Sequence, residues 1–491
     1  MYRLVLYGLC FLALISIILG FAEGVIFTGV EMIVSLSIIF TASYLSKIFF
    51  AYIYKAPTNV ESVYITALIL FFLLEPSVSL PGVLILAATS VIAMLSKFTF
   101  AIGKKHIFNP VAISTFIVSL LGGGAVIWWV ATPVLSIATI IIGLLIVRKI
   151  RRFSMVFAFL LTAIITLTLT YVLPNSVAFG PFIKDIFMSW PIVFFATIML
   201  TEPLTTPPTK STRIVYGVVV GLFFASGLHV GSLYATPEFA LVLGNIYAFA
   251  VSSKQKLFLK FKSKQQLSAT IYDFVFEPSQ QLRFAPGQYL EWTLPHIVPD
   301  SRGNRRYFTI ASSPTEKDIH LGVRIDPRAS SSFKKSLIEM SGTHAMVASH
   351  LSGDFTMPKD RTKKLAFVAG GIGITPFRSM VKYLIDTNER RDIVLYYLAN
   401  SANDFAYHEL FQEAHEKVGI QTIYIASSTD TTWQGRVGRL TPEVIYETLP
   451  DFTERHFYLS GPNGMVESYK KMLNDMNVPR KQITTDYFPG F

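Results

Sequence analysis

The chain has 491 residues, 52% of them hydrophobic and only 15% charged, which is too apolar for an ordinary soluble protein. Its net charge of +11 does not call for nucleic acid, because the basic residues cluster in loops between apolar runs, where membrane topology and anionic headgroups account for them. The single Cys10 excludes an intrachain disulfide, an iron–sulfur cluster and a Cys-based zinc site, and no metal site is expected.

The apolar part comes first, over residues 1–252. A bilayer span needs roughly 20 apolar residues. By that measure the segment is read as a transmembrane domain of about ten spans, with cores near 3–22, 26–46, 61–76, 80–96, 107–123, 126–147, 153–173, 186–200, 212–231 and 237–252. The first is not read as a signal peptide, because no small-residue cleavage site follows it and a second span begins almost at once. Alternate loops hold sixteen basic residues, from Lys47 to Lys264, against Lys184 alone in the intervening ones. The positive-inside rule therefore puts both termini, and whatever follows residue 252, in the cytoplasm of a prokaryotic cell. Residues 1–250 contain two histidines, His106 and His229, at distant positions, so a bis-histidine haem is not expected there.

Two breaks stand out. Glu75-Pro76 follows the third span and Glu202-Pro203 the eighth, 127 residues apart, while Asn109 and Asn245 recur 136 apart. Proline removes a backbone donor and disfavours helix before it, so the freed carbonyls must find other partners. Five spans per unit is an odd number, which makes the two units inverted, and such repeats place a site where their broken helices meet. The plain alternative is that both glutamates are interfacial residues at helix ends. Trp128 and Trp129 read as an interface anchor.

After a basic linker at 253–261 the pattern changes to short β-type runs, expected to form a flavin-binding β-barrel over 262–360. "RRYFTIASSP" (Arg305 to Pro314) places an arginine before an alternating aromatic and hydroxyl strand. Such a strand offers a fork for a phosphate, a ring for a flavin and a hydroxyl for its N5, although an ordinary strand with a surface arginine would look the same. Residues 361–491 alternate strand and helix, which implies a parallel α/β sheet. "LAFVAGGIGITPFRSM" (365–380) is a buried strand, a glycine turn and a helix whose N-terminus suits a pyrophosphate; "FYLSGPNGM" (Phe457 to Met465) is a second such turn.

Together with "PGQYLE" (Pro286 to Glu291), "RYFT" (Arg306 to Thr309) and the terminal "DYFPGF", these runs resemble the ferredoxin–NADP reductase superfamily over residues 260 to 491. The resemblance implies bound FAD and a nicotinamide substrate, NADH or NADPH. It implies that Arg306 holds flavin phosphate, Tyr307 stacks on the ring and Thr309 approaches N5. Ser331 and Ser332 would form a second phosphate segment, without its usual glycine. Gly370, Gly371, Gly373 and Thr375 would hold the dinucleotide, with Ser460, Gly461 and Pro462 at the nicotinamide. Serine stands where the family often has cysteine. Asp486 and Phe488 match the near-terminal carboxylate and flavin-covering aromatic, yet the chain runs on to Phe491, so either phenylalanine is a candidate for that cover. Asn400, Ser401 and Arg436 are the polar candidates for reading an adenosine 2′-phosphate.

"KHIFNPVAIS" (Lys105 to Ser114) and "IMLTEPLTTPPT" (Ile198 to Thr209) resemble the B subunit of the sodium-pumping NADH:quinone oxidoreductase and the D subunit of the Rnf complex. That family carries a flavin mononucleotide esterified to threonine, but the attachment motif is missing here. "GGGAV" stands in the expected loop, and Ser136 to Thr139 ("SIAT") lies inside the next span. A flavin in this half (FMN or riboflavin) would be held noncovalently, or a quinone would take its place, at Asn109, Asn245, Glu202 and Thr205. The leading expectation is an integral membrane oxidoreductase passing electrons from cytoplasmic NAD(P)H through FAD to that site, then to quinone or an extracytoplasmic acceptor. The alternatives are a redox-driven Na⁺ or H⁺ pump and a channel or transporter fused to a redox-sensing reductase.

Overall fold

The computed structural model describes residues 2–54, 60–102, 105–122, 126–225, 227–230, 233–252, 256–295, 300, 304–326, 330–342, 344–428, 433 and 435–488. Two compact units divide the chain, Met1–Lys254 and Gln255–Phe491.

The first unit is helical: α1 (Tyr2–Phe21), α2 (Gly29–Ile53), α3 (Val60–Leu73), α4 (Leu80–Thr99), α5 (Pro110–Leu120), α6 (Pro133–Ile150), α7 (Phe153–Leu167), α8 (Phe179–Met188), α9 (Ile192–Phe194), α10 (Lys210–Phe223) and α11 (Pro237–Val251). Two hairpins of two-residue strands interrupt it, β1 (Ala101–Ile102) with β2 (Lys105–His106) and β3 (His229–Val230) with β4 (Leu233–Tyr234). Of the ten expected spans, five are, among the described residues, long and apolar enough to cross a membrane alone: α1, α2, α4, α6 and α7 with its π-helical continuation. A sixth would be α8 with α9 and its π-helical extension to Met199, bent by 58°. These helices are compatible with membrane insertion. Two of the remaining segments stop short because prolines and caps cut them. Pro110 and Pro237 open α5 and α11 behind the caps Asn109 and Thr236, leaving helices of 11 and 15 residues. At 1.5 Å per residue these rise about 16 and 22 Å, less than the roughly 30 Å hydrocarbon layer.

The end of α3 shows how a broken helix is satisfied. The backbone N–H groups of Ile127 and Trp128 donate to the Leu73 carbonyl at 3.0 and 3.2 Å, and Trp129 Nε1 donates to the Phe71 carbonyl at 2.6 Å. Both tryptophans are 5% exposed. They cap freed carbonyls inside the unit and do not anchor it at an interface. The two acidic breaks also differ, since Glu75 is exposed and Glu202 is half-buried.

The second unit opens with an antiparallel sheet: β5 (Leu257–Gln266), β6 (Ile271–Pro278), β7 (Tyr289–Thr293), β8 (Arg305–Thr309), β9 (Ile319–Arg324) and β10 (Ala345–Ser352), in the order β8-β7-β10-β5-β6-β9. It is curled: among the described residues its edge strands β8 and β9 form no ladder, but just past β8 the Ala311 N–H donates to the His320 carbonyl of β9 at 3.0 Å, and β5 takes up residues 257–261 of the expected linker. The short helix α12 (Ser332–Ile338) packs on it through Phe333 and Leu337. Then follow β11 (Leu365–Gly370), α13 (Thr375–Asp386), β12 (Ile393–Ser401), α14 (His408–Val418), β13 (Gln421–Ser428), β14 (Arg436–Val437), α15 (Pro442–Thr448), β15 (His456–Pro462), α16 (Asn463–Asp475) and β16 (Ile483–Phe488). The strands form a parallel sheet ordered β14-β13-β12-β11-β15-β16. Residues of α13 and α14 share one core with this sheet, and residues of α15 and α16 share another. All six residues of β11 are buried, as a central parallel strand requires. The strand order reverses beside β11, with β12 on one side and β15 on the other. That puts a topological switch point at the C-terminal end of β11, where open α/β sheets bind ligands.

Candidate functional site

At the switch point Gly370 ends β11, and a single 3-10 turn, Gly371–Ile374, leads into α13. Gly371 has φ 53°, which favours glycine, and a side chain there would meet no atom within 4 Å, so its face is open. Gly373 is required for a different reason: a Cβ would lie 2.3 Å from the Ser460 carbonyl oxygen. The absent side chain lets the end of β15 close against the turn. Register then aligns Ala369 with Ser460, Ser460 with Asp486, and Pro462 with Phe488. Gly370, Gly371, Gly373, Thr375, Ser460, Gly461, Pro462 and Asp486 thus gather at one end of three adjacent strands. The Ser460 hydroxyl is fully buried and has no partner among the described residues, a donor available to a bound group. The open glycine face, the start of α13 and this orphan hydroxyl fit a dinucleotide. Phe491 lies outside the described residues.

The flavin end shows one correction. Alternation along β8 puts Arg306 and Phe308 on one face and Arg305, Tyr307 and Thr309 on the other. Arg306 lies over the Phe333 ring at 5.3 Å, and Phe308 meets that ring at 5.8 Å. Tyr307 faces the other way and donates its hydroxyl to Glu291 at 2.7 Å, so Arg306 and Tyr307 do not line one surface. Phe308 is the aromatic that the motif reading missed; counting alternate residues from Arg306 would have found it. Asp300, also missed, holds this corner together. It accepts from Arg306 at 3.4 Å and from the Ser332 backbone N–H at 3.1 Å, while its own N–H donates to Ser332 Oγ at 2.8 Å. A carboxylate therefore sits between Arg306 and the Ser332 backbone N–H. Ser331 and Thr309 are buried, at 5% and 3% exposure.

A ring of five side chains joins the curled sheet to the nucleotide domain. Arg378, one turn along α13 from Thr375, pairs in a fork with Glu316, its second nitrogen 2.9 Å from Oε1. Glu316 lies 3.8 Å from His320 Nε2, His320 Nδ1 lies 2.7 Å from Asp273, and Tyr407 donates to Asp273 at 3.1 Å. The Arg378 guanidinium over the Tyr407 ring, at 5.6 Å, closes the circuit. Burial, then the adjacent Asp273 carboxylate, pushes the Tyr407 phenol well above its usual range and keeps it a donor. Arg436 is committed elsewhere, in a bidentate pair with Glu447 at 2.6 and 3.0 Å.

In the helical unit the structure brings together all four residues singled out there. Asn109 caps α5, its Oδ1 accepting from Val111 and Ala112 N–H. Its amide nitrogen must then point away, and it donates to Glu202 Oε2 at 2.8 Å. The same oxygen accepts from Thr205 at 3.2 Å. Asn245 Oδ1 accepts the Asn109 backbone N–H at 2.7 Å, which turns its own nitrogen toward the Tyr216 hydroxyl at 3.2 Å. Glu202 lies three residues beyond the π-helical turn Phe195–Met199, an irregularity often found at functional sites. Sequence reasoning missed Tyr216, Lys97 and Glu238. Lys97 is held by the Ser62 carbonyl, the Ser62 hydroxyl and the Thr66 hydroxyl at 3.2, 3.2 and 2.9 Å and interacts electrostatically with Glu202. A lysine inside an apolar run was its visible signal.

The model of the oxidoreductase NAD-binding domain matches residues 367–471. The chain is 24% identical over 208 residues to an NAD(P)H-flavin reductase of Vibrio harveyi, covering 41% of this chain and 85% of that protein. It is 30% identical over 218 residues to the protein RfbI of Salmonella typhimurium, covering 43% of this chain and 61% of RfbI, less than two thirds of its length. The FAD/NAD-binding domain of a nitric oxide dioxygenase from Vibrio cholerae aligns at a TM-score of 0.42 and 18% identity, over 47% of this chain and 98% of that domain. These matches concern the reductase half and do not bear on the resemblance drawn for the helical half.

Proposed function

We propose that this chain is an NAD(P)H-dependent flavin oxidoreductase whose helical half lies in the membrane and receives the electrons. The observation that carries the reading is the switch point, where an open glycine turn, the start of α13 and the buried Ser460 hydroxyl converge. Gly371, Gly373 and Thr375 bring backbone N–H groups to a pyrophosphate, and Ser460 offers its hydroxyl at the nicotinamide. Arg306 and the Ser332 N–H hold the flavin phosphate, with Phe308 on the same face. Bound FAD supplies the ability to take two electrons as hydride and release them singly. Electrons then pass to a noncovalent flavin or a quinone at Asn109, Asn245, Glu202 and Thr205, and on to quinone or an extracytoplasmic acceptor. The polar cluster supports this leg, since buried polar side chains among membrane helices are costly and mark functional sites. The reductase half and both termini are assigned to the cytoplasm by the distribution of basic loops.

The test is to extract the flavins from purified full-length protein and assay NAD(P)H oxidation with ferricyanide and with a short-chain quinone. FAD, with activity toward both acceptors, is expected. Glu202→Gln should slow quinone reduction and leave ferricyanide reduction intact. Protein without FAD, or equal rates for Glu202→Gln and the parent with quinone, would overturn the corresponding half of the reading.

A further inference from the structure

Tyr407 holds a backbone conformation unusual for an aromatic residue. It caps α14 at φ 60°, in the left-handed region where glycine or asparagine is ordinarily found. Such strain persists only where the surroundings enforce it. Three contacts enforce it here. The Tyr407 hydroxyl donates to Asp273 of β6 at 3.1 Å, and the Arg378 guanidinium lies over its ring at 5.6 Å. Strand β9 supplies the third: a Cβ on Gly322 would stand 2.8 Å from that hydroxyl and 2.6 Å from the Thr375 methyl. The bare backbone of Gly322 thus lets the curled sheet reach Tyr407 and the start of α13 at one point.

The chain just before Tyr407 is equally fixed. The loop leaving β12 begins with the 3-10 turn Ala402–Asp404, and the buried Ala406 donates its N–H to the Tyr397 hydroxyl at 3.0 Å. Phe405 packs on the Tyr397 ring at 4.9 Å. Register places Leu398 of β12 beside Gly370, so this loop follows just past the glycine turn, one strand over. Strand β15, with Ser460, flanks β11 on the opposite side.

We propose that Asp273 and Tyr407 clasp the curled sheet to this loop, and that Tyr407 is a positioning residue for the adenosine half of the nicotinamide dinucleotide. The inference rests on the nucleotide site proposed above. With the nicotinamide beside Ser460 and the pyrophosphate on the glycine turn, the rest of the molecule continues over the end of β12, away from β15. There it meets residues 402–406, whose place is set by Tyr407 and hence by a carboxylate of the curled sheet. Tyr407 acts through that loop and takes no part in hydride transfer.

The test compares two hydride donors on the full chain, by anaerobic stopped-flow loss of flavin absorbance. NAD(P)H carries the adenosine half; reduced nicotinamide mononucleotide lacks it. Tyr407→Phe keeps the ring and removes only the hydroxyl. The half-saturating NAD(P)H concentration should rise about tenfold with the limiting rate unchanged. The rate with the mononucleotide should stay as in the parent. Should Tyr407→Phe fail to fold, Asp273→Asn weakens the same bond from its other end, and a rise of about threefold with the same pattern is expected. Equal slowing with both donors would make Tyr407 a general support of the fold and overturn the proposal, as would an unchanged response to NAD(P)H. A parent whose flavin neither donor reduces overturns the nucleotide site itself.

Discussion

The two halves of the molecule treat buried carboxylates in opposite ways. In the reductase half Glu316 and Asp273 face a guanidinium, an imidazole and a phenol in a closed ring, so their charge is met by charge or by a strong donor. In the helical half Glu238 meets a neutral indole, while Glu202 is hydrogen-bonded by a neutral amide and a hydroxyl and interacts electrostatically with Lys97. A carboxylate locked to arginine keeps its charge and fixes geometry. One that meets only neutral donors in an apolar surround can gain and lose a proton at modest cost. The first arrangement suits a joint that must not move between two nucleotide sites.

Arg378→Met breaks this contrast most directly. It leaves Glu316 buried without its guanidinium, and removing one partner of a buried pair costs about 3–5 kcal/mol. Thermal release of FAD, followed by flavin fluorescence in the full chain, should shift strongly downward. Adding Glu316→Gln should recover part of the loss, because the stranded charge goes with it. If Arg378→Met melts like the parent, the ring is decoration and not a clasp.

Much of the reductase half was legible because its chemistry is local. A glycine turn after an apolar strand announces itself, and Gly370, Gly371, Gly373 and Ser460 do converge in space. What the sequence hid were relations set by pleat and by distant chain. Arg306 and Tyr307 are neighbours in sequence yet stand on opposite faces of β8. Asp300 enters the Arg306 corner through its bond to the Ser332 N–H at the start of α12, a residue 32 positions away in sequence. In the helical half Asn109, Asn245 and Glu202 were visible as polar breaks in apolar runs, and they meet. Span number was not legible, since an apolar run does not reveal whether its helix stops at 11 residues or continues. Glu238 was overlooked because a carboxylate in the first turn of a helix usually just complements the helix dipole. Only its burial against Trp128 marks it out.

The pleat of β8 gives a finer test within the reductase half. Phe308 shares the face of Arg306, and an aromatic contact of this kind is worth about 1 kcal/mol. Phe308→Ala should therefore weaken FAD binding roughly fivefold by titration of the apoprotein, and Phe308→Tyr should retain it. Tyr307→Ala, on the opposite face, should change affinity less than about twofold. The reverse ranking would return the stacking role to Tyr307 and show that the flavin crosses the sheet edge.

The smallest effect concerns a carboxylate that is paired but only partly buried. Asp451 binds Arg455 Nε at 2.7 Å and Lys364 at 2.8 Å, and Arg455 above all holds its carboxyl down at about 2. An unfolded aspartate titrates near 3.9, so the pairing stabilises the fold above that pH. The contribution fades as pH falls from about 4 to about 2. Its side chain is 27% exposed, and solvent screening keeps the effect below about 1 kcal/mol. Asp451→Asn should therefore lower the urea midpoint of the reductase half slightly at pH 7, with the difference from the parent shrinking as the pH approaches 3. Glu238→Gln offers no such pattern in the helical half, because no ionic partner stands in contact to be lost with acid. A pH-independent difference for Asp451→Asn would mean that its hydrogen bonds, and not its charge, hold this corner. The division between charge-locked and neutrally bound carboxylates would then be narrower than the geometry implies.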